Sequence, residues 1–220
     1  MKKKVVTAIM AVSLVLSAVV FTGCGGGAKV SAEEYVEGLY KLMINMDAEG
    51  AKKVGFSDGD IKKYKEALEK SVSDNISSMN DSFSQQFGVS LDDSLLKEYA
   101  QEYINAMGKL SATVSVESKS ESECSVKVET TCLDLPGITA DAMKKARDSV
   151  KASEYGTSDE YNKALIPVYV RSMIDMLKNY TPSSETVGSV VTVKKDGNSW
   201  VTDIAEFSKN ISAAAIKKAE

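Results

Sequence analysis

At Lys109 the spacing of apolar residues changes from about 3.6 to 2, and few folds accommodate that change. Before it, three stretches carry helical spacing. Ser31-Ala32-Glu33-Glu34 fits a capping box, and Val36, Leu39, Tyr40 and Met43 follow as one apolar stripe. Asp47 to Phe56, with Gly50 and Gly55, reads as a loop. Ser57-Asp58-Gly59-Asp60 opens a second helix, with Ile61, Tyr64, Leu68, Val72, Ile76, Met79 and Phe83 three or four residues apart. Gly88 interrupts, Ser90-Leu91-Asp92-Asp93 restarts, and Leu95, Tyr99, Tyr103 and Met107 line a third helix.

After Lys109, Leu110, Ala112, Val114 and Val116 alternate with polar residues, as do Val126, Val128, Thr130 and Cys132. Keeping both rows on one face pairs Val116 with Val126 and Val114 with Val128. That pairing requires a loop of three or five residues, because a one-residue slip turns a whole row into water. Pro136-Gly137 breaks the pattern, and helical stretches are predicted from about Thr139 to Val150 and from Ser158 to Tyr180. Pro167 either kinks the latter or starts a new helix there.

Val187 to Lys195, Asp196-Gly197 and Asn198 to Ile204 predict a second hairpin. A two-residue loop pairs Val193 with Trp200 and Val191 with Thr202, with the tryptophan on the apolar face. Residues 205–219 predict a closing helix carrying Phe207, Ile211 and Ala214. Neither hairpin is stable alone. The predicted fold is α+β, with helices packed on one face of an antiparallel sheet built from two β-hairpins. Residues 31–220 are read as one domain, and the alternative is a helical unit 31–108 followed by an α+β unit 109–220.

The N-terminus carries an address. Met1-Lys2-Lys3-Lys4 precedes the uncharged apolar run Val5–Phe21, the layout of a secretory signal peptide. Phe21-Thr22-Gly23-Cys24 resembles the lipobox of bacterial lipoproteins, with Phe where Leu is usual. The resemblance implies that residues 1–23 are cleaved and that Cys24 carries the lipid, leaving 24–30 as a Gly-rich tether. Two or more acyl chains attach a protein stably where one is marginal. A Gly-rich chain of six residues spans about 14 Å root-mean-square.

Without its first 23 residues the chain keeps 24 basic and 31 acidic residues, a net charge of −7. Such a domain is repelled by anionic lipid, so the anchor must hold it. Nucleic acid is a poor partner, because phosphate binding needs a basic footprint. Arg147 and Arg171 are the only arginines, and there is no histidine. The missing histidine removes Ser-His-Asp and Cys-His catalysis and the usual zinc sites.

Other residue groups have a structural explanation beside a chemical one. Cys124 and Cys132 would lie about 26 Å apart on one continuous strand, too far for a disulfide, so they are expected as free core thiols. Asp58, Asp60, Asp92, Asp93 and Asp159-Glu160 stand at helix starts, where acids cap backbone donors. Arg171 is expected on the surface near Asp175, four residues on. Tyr35, Tyr40, Tyr64, Tyr99 and Tyr103 are expected with their rings in the core and their hydroxyls near water. No catalytic, cofactor-binding or metal-ligating residues are assigned.

Asp-Gly-Asn-Ser-Trp-Val at 196–201, the helices before it and the lipobox together resemble small lipoproteins of Gram-positive bacteria. In many of these a Trp-containing strand closes a sheet of the nuclear-transport-factor-2-like, or cystatin-like, kind. The resemblance implies a protein on the outer face of the cytoplasmic membrane. Two function classes follow. One is a non-catalytic binding module for an envelope protein, a peptide or a small molecule. The other is a small hydrolase or isomerase using Asp, Glu or Tyr in a cone-shaped pocket. The first is preferred, with the covalent lipid as the membrane contact and no cofactor.

Overall fold

A computed structural model describes residues 30–217. The expected signal segment 1–23, Cys24 and the expected tether up to residue 29 lie outside the described residues. Among the described residues no helix is long and apolar enough to cross a membrane.

The elements are α1 (Ala32–Met43), α2 (Ala48–Lys53), α3 (Asp58–Phe87), α4 (Asp93–Gly108), β1 (Ala112–Lys119), β2 (Glu123–Thr131), α5 (Leu135–Ser149), α6 (Ser158–Lys178), β3 (Thr186–Asp196), β4 (Ser199–Val201) and α7 (Ile204–Ala215). Capping boxes start α1 (Ser31 with Glu34), α3 (Ser57 with Asp60) and α6 (Thr157 with Glu160). Gly88 ends α3 with φ 65°, a left-handed conformation that costs glycine nothing.

Three helix expectations need correction, and the alternative left open at Pro167 is resolved. Residues 47–56 are not all loop, because α2 forms where Asp47 Oδ1 accepts from Gly50 N at 2.8 Å. A Cβ at Gly50 would lie 2.3 Å from Asp47 Oδ2, so the cap requires glycine, and six residues are too few to display a period. On α4 the buried stripe runs through Leu96, Tyr99, Tyr103 and Met107, with Leu95 only half-buried. Pro136-Gly137 does not delay α5 but sits in its first turn, where proline's missing N–H costs no helical bond. Helix α6 runs from Ser158 to Lys178 through Pro167, so no new helix begins there.

The four strands form one antiparallel sheet in the order β1-β2-β3-β4. Val114 pairs with Val128 and Val116 with Val126, as the alternation predicts. The loop parity differs. The register shifts between Val116 and Ser118, and Lys119 then pairs with Cys124, leaving the even-length connection 120–123. A bulge at Glu117 absorbs the odd residue that the loop would otherwise carry.

In the second hairpin Lys195 pairs with Trp200 and Asp196 with Ser199, so Gly197-Asn198 is the turn. Gly197 has φ 60° at the first central position, which a type II′ connection reserves for glycine. The expected pairing of Val193 with Trp200 is off by two residues. A two-residue slip leaves every side chain on its original face, so alternation cannot detect it.

Helices cover one face of the sheet, where Cys124, Val126, Val128, Thr130, Val191, Val193 and Trp200 are buried against α1 and α7. The other face carries Ser125, Lys127, Glu129, Val190, Thr192 and Lys194, all exposed or half-exposed. Behind the covering layer α4 and α5 both pack on α6, and α3 lies against α4. Buried apolar side chains from Tyr35 to Ala215 form one contiguous cluster.

Candidate functional site

The end of β2, the end of α6, the entry to β3 and the segment after α7 meet at one end of the sheet. There Cys132, Asp134, Tyr180, Thr181, Ser183, Glu185, Thr186, Val187 and Lys217 line a cleft of about 650 Å³. That volume is within the usual range for small-molecule sites.

Local chain geometry builds the cleft. Leu133 bridges in parallel to Ile216, with Leu133 N donating to Ala215 O at 2.8 Å and Lys217 N to Leu133 O at 3.0 Å. These bonds fasten the chain after α7 beside the segment leaving β2. Asp134 caps α5, its Oδ1 accepting from Gly137 N at 3.0 Å. Gly137 is needed there, since a Cβ would come within 2.7 Å of the Asp134 carboxylate. Lys217 Nζ lies 3.8 Å from the other oxygen of Asp134.

Tyr180 closes the inner wall. Its hydroxyl donates to Cys132 O and accepts from Asp134 N at 3.3 Å. Its own position is held by Lys109, whose Nζ donates to Lys178 O at 2.9 Å and to Tyr180 O at 3.1 Å. Burial raises the Tyr180 phenol above its ordinary value, and the Asp134 backbone donor opposes that in part. The Cys132 thiol donates to Ala214 O at 3.2 Å. Burial pushes its pKa up, Glu185 adds to the rise, and Lys217 works against it. A thiol held in the protonated form is a weak nucleophile. The cleft therefore offers shape, hydroxyls and fixed charges, and its sulfur is not activated.

Of the residues singled out in the sequence, Cys132 alone lines this cleft. Cys24 lies outside the described residues. Cys124 and Cys132 are free, buried thiols at opposite ends of β2. Asp60 and Asp92 cap their helices through Ser57 and Ser94, and Asp58 pairs with Lys52 at 2.9 Å. Asp93 and Asp159 stand in first turns, and Glu160 completes the α6 cap. Among the described residues no three His, Cys, Asp or Glu side chains are grouped to hold a metal ion.

Arg171 is exposed, but Asp175 turns to Lys145 of α5 at 3.5 Å instead. The tyrosines are more deeply placed than expected. Tyr40 shares a 2.6 Å hydrogen bond with Thr130, Tyr64 donates to Met43 O at 3.0 Å, and the Tyr99 hydroxyl is buried with no partner. Burial raises the pKa of all three, and of Tyr103 and Tyr169, the last to about 12.

Sequence reasoning missed Asp134, Tyr180, Glu185 and Lys217. Asp134 carried a readable signal as an acid just before Leu-Pro-Gly, a helix start. The others are exposed or half-buried polar residues of loops and chain ends, and only the fold brings them together.

No family model and no curated relative matches the sequence. A solved structure that resembles the fold is that of the candidate lipoprotein ycdA of Bacillus subtilis, with a TM-score of 0.54 and 15% identity. The match covers 84% of this chain and 57% of that protein, so this chain spans less than two thirds of its length. At that identity the likeness is one of fold: α+β, with helices on one face of an antiparallel sheet.

Proposed function

We propose that this chain is a lipid-anchored lipoprotein on the extracytoplasmic face of the membrane, and that its folded part is a non-catalytic binding module. Cys24 is the anchor, and the Cys132–Tyr180–Lys217 cleft is the ligand site. The lipobox-like Phe21-Thr22-Gly23-Cys24 supports the anchor, as does the shared fold with a protein described as a candidate lipoprotein.

The observation that carries the binding reading is the state of the cleft's reactive groups. The thiol and the phenol are held protonated, and the Asp134 carboxylate is engaged by Gly137 N and Lys217. Such groups position a ligand and do not attack it. The carboxylates of the described residues point the same way, since the buried one, Asp60, is spent on capping α3. Val187, the Thr181, Ser183 and Thr186 hydroxyls, Glu185 and Lys217 suit a small polar molecule or a short peptide from an envelope protein.

Two experiments test this. Wild-type protein should partition into the detergent phase of Triton X-114 and label with alkyne-palmitate, and Cys24→Ala should do neither. A photocrosslinking residue at Ser183 should capture a ligand in intact cells, and Val187→Arg should abolish that capture while the Tm holds. Capture that is indifferent to Val187→Arg overturns the cleft assignment. Turnover on hydrolase or isomerase panels that vanishes in Tyr180→Phe overturns the non-catalytic reading.

A further inference from the structure

The path of α1 fixes which end of the sheet faces the anchor. Near the start of α1, Glu33 Oε1 accepts from Val116 N at 3.2 Å, in the half of β1 nearer the β1–β2 turn. Two turns later Tyr40 OH meets Thr130 Oγ1 at 2.6 Å, at the far end of β2. Beyond the helix Asn45 Nδ2 donates to Gly108 O and Leu110 O, just before β1 begins. Helix α1 therefore runs along the sheet toward the far end, and its first residues lie in the half of the sheet nearer the turns.

Both hairpin turns lie at that end. Glu123 pairs with Lys194, and Lys195 N donates to Ser122 O at 2.8 Å, so residues 119–123 and 195–198 are neighbours. The cleft lies at the opposite end, since Thr131 pairs with Thr186 and Thr130 with Val187 there. Glu123 to Thr131 is eight strand steps, about 26 Å.

We infer that the anchored protein stands with its two hairpin turns toward the lipid surface and its cleft directed away from it. This rests on Cys24 being the lipid-bearing residue. The chain from Cys24 to Ser31 has seven steps and reaches at most about 25 Å when fully extended. Helix α1 starts at the level of the Val116–Val126 pair, five strand steps or about 16 Å from Thr131. That distance exceeds the root-mean-square span of about 14 Å for the Gly-rich tether, so turning the cleft to the membrane stretches the chain and turning the hairpin turns to it does not. Charge does not compete with this constraint. Lys119, Lys194 and Lys195 at the turn end face Glu33, Glu117, Glu121, Glu123 and Asp196, a net charge of −2 out of the domain's −7, so lipid headgroups repel this end no more than the rest of the domain. The cleft consequently meets ligands arriving from the envelope side, and not lipid headgroups.

The test uses full-length lipidated protein in phosphatidylethanolamine–phosphatidylglycerol vesicles that contain a nickel-chelating headgroup lipid. Spin labels are placed at Glu121→Cys in the β1–β2 turn and at Ser184→Cys beside the cleft, both exposed. Cys124 and Cys132 are buried, and the unmodified protein sets the labelling background. Mass spectrometry of the N-terminal peptide comes first. An unlipidated Cys24 defeats the anchor reading itself, and with it this inference. With the lipid in place, nickel should enhance relaxation several-fold more at residue 121 than at 184. Equal enhancement, or more at 184, overturns the orientation. Inserting about a dozen glycines after Gly27 should shrink the contrast, because a longer chain reaches further. An undiminished contrast would show that the tether is not its cause and would also overturn the inference.

Discussion

The two hairpins are held by different means. In the first, β1 and β2 pair along nearly their whole lengths of eight and nine residues, and the glutamate bulge twists the edge strand. In the second, β3 is eleven residues long but shares only three pairs with β4, while it shares nine with β2. The long-range β2–β3 ladder, not the tight Gly-Asn turn, holds β3 in the sheet. Strand β4 in turn depends on one side chain, Trp200, buried on the helix-covered face with Lys195 Nζ 5.5 Å from its ring. Turn chemistry identifies a hairpin, but burial decides how much of it is needed.

The largest expected effect comes from the ladder that both hairpins share. Val128 is fully buried in the centre of β2, so Val128→Asp should cost on the order of 5 kcal/mol or prevent folding. Val190→Asp, on the open face of β3, should stay within about 0.5 kcal/mol. Urea denaturation of the pair checks the contrast, and similar costs would mean that the open face is covered.

Trp200→Ala should cost about 3 kcal/mol, close to the large-to-small substitutions of a core aromatic. Amide exchange should then accelerate in β4 well before β3, because β3 keeps its ladder to β2. Uniform acceleration across both strands would show that the two hairpins are one cooperative unit. Gly197→Ala should cost about 1–2 kcal/mol, because alanine must adopt φ 60°. A thermal melt decides it.

Tyr40→Phe should cost about 1 kcal/mol by removing the hydrogen bond to Thr130, and it touches only the first hairpin. Thr130 Oγ1 itself donates to Thr131 O, so Tyr40 is the donor in that pair. Alkaline pH sharpens this test. Burial raises the folded pKa of Tyr40 above the unfolded value near 10. The contribution is therefore complete below pH 10 and is lost as pH rises through the folded pKa, since the unfolded chain ionises first. Stability of the wild type should fall more steeply above pH 10 than that of Tyr40→Phe, and parallel curves would contradict the assignment. The smallest effect is expected at Asp196→Ala, a few tenths of a kcal/mol, because Asp196 is the last paired residue of β3 and not part of the turn.

Much of this fold was legible because its signals are local. Ser31/Glu34 and Ser57/Asp60 announce helix starts, and Gly88 announces a stop. The alternation through Val114, Val116, Val126 and Val128 specified which faces meet. Alternation has period 2, however, and is blind to any change that preserves parity. A bulge at Glu117 with an even loop gives the same pairing of valines as no bulge with an odd loop. A two-residue slip at Trp200 likewise keeps the tryptophan buried. Helix α2 and the start of α5 were missed because a six-residue helix shows no stripe and a Pro-Gly pair also marks turns.

The amino-acid sequence by itself determined the helix caps, the inward faces of the strands, the α+β class and the lack of histidine. Each depends on neighbours within about one helical turn or on composition. Tertiary structure alone decided the register of the second hairpin, the pairing of β2 with β3 across two intervening helices, and the cleft. Cys132, the pair Tyr180 and Thr186, and Lys217 come from three segments far apart in the chain, and only the Leu133–Ile216 bridge and the β2–β3 ladder bring them to one end of the sheet. Such long-range pairings are selected by the total burial they permit, and no local run of residues encodes that sum.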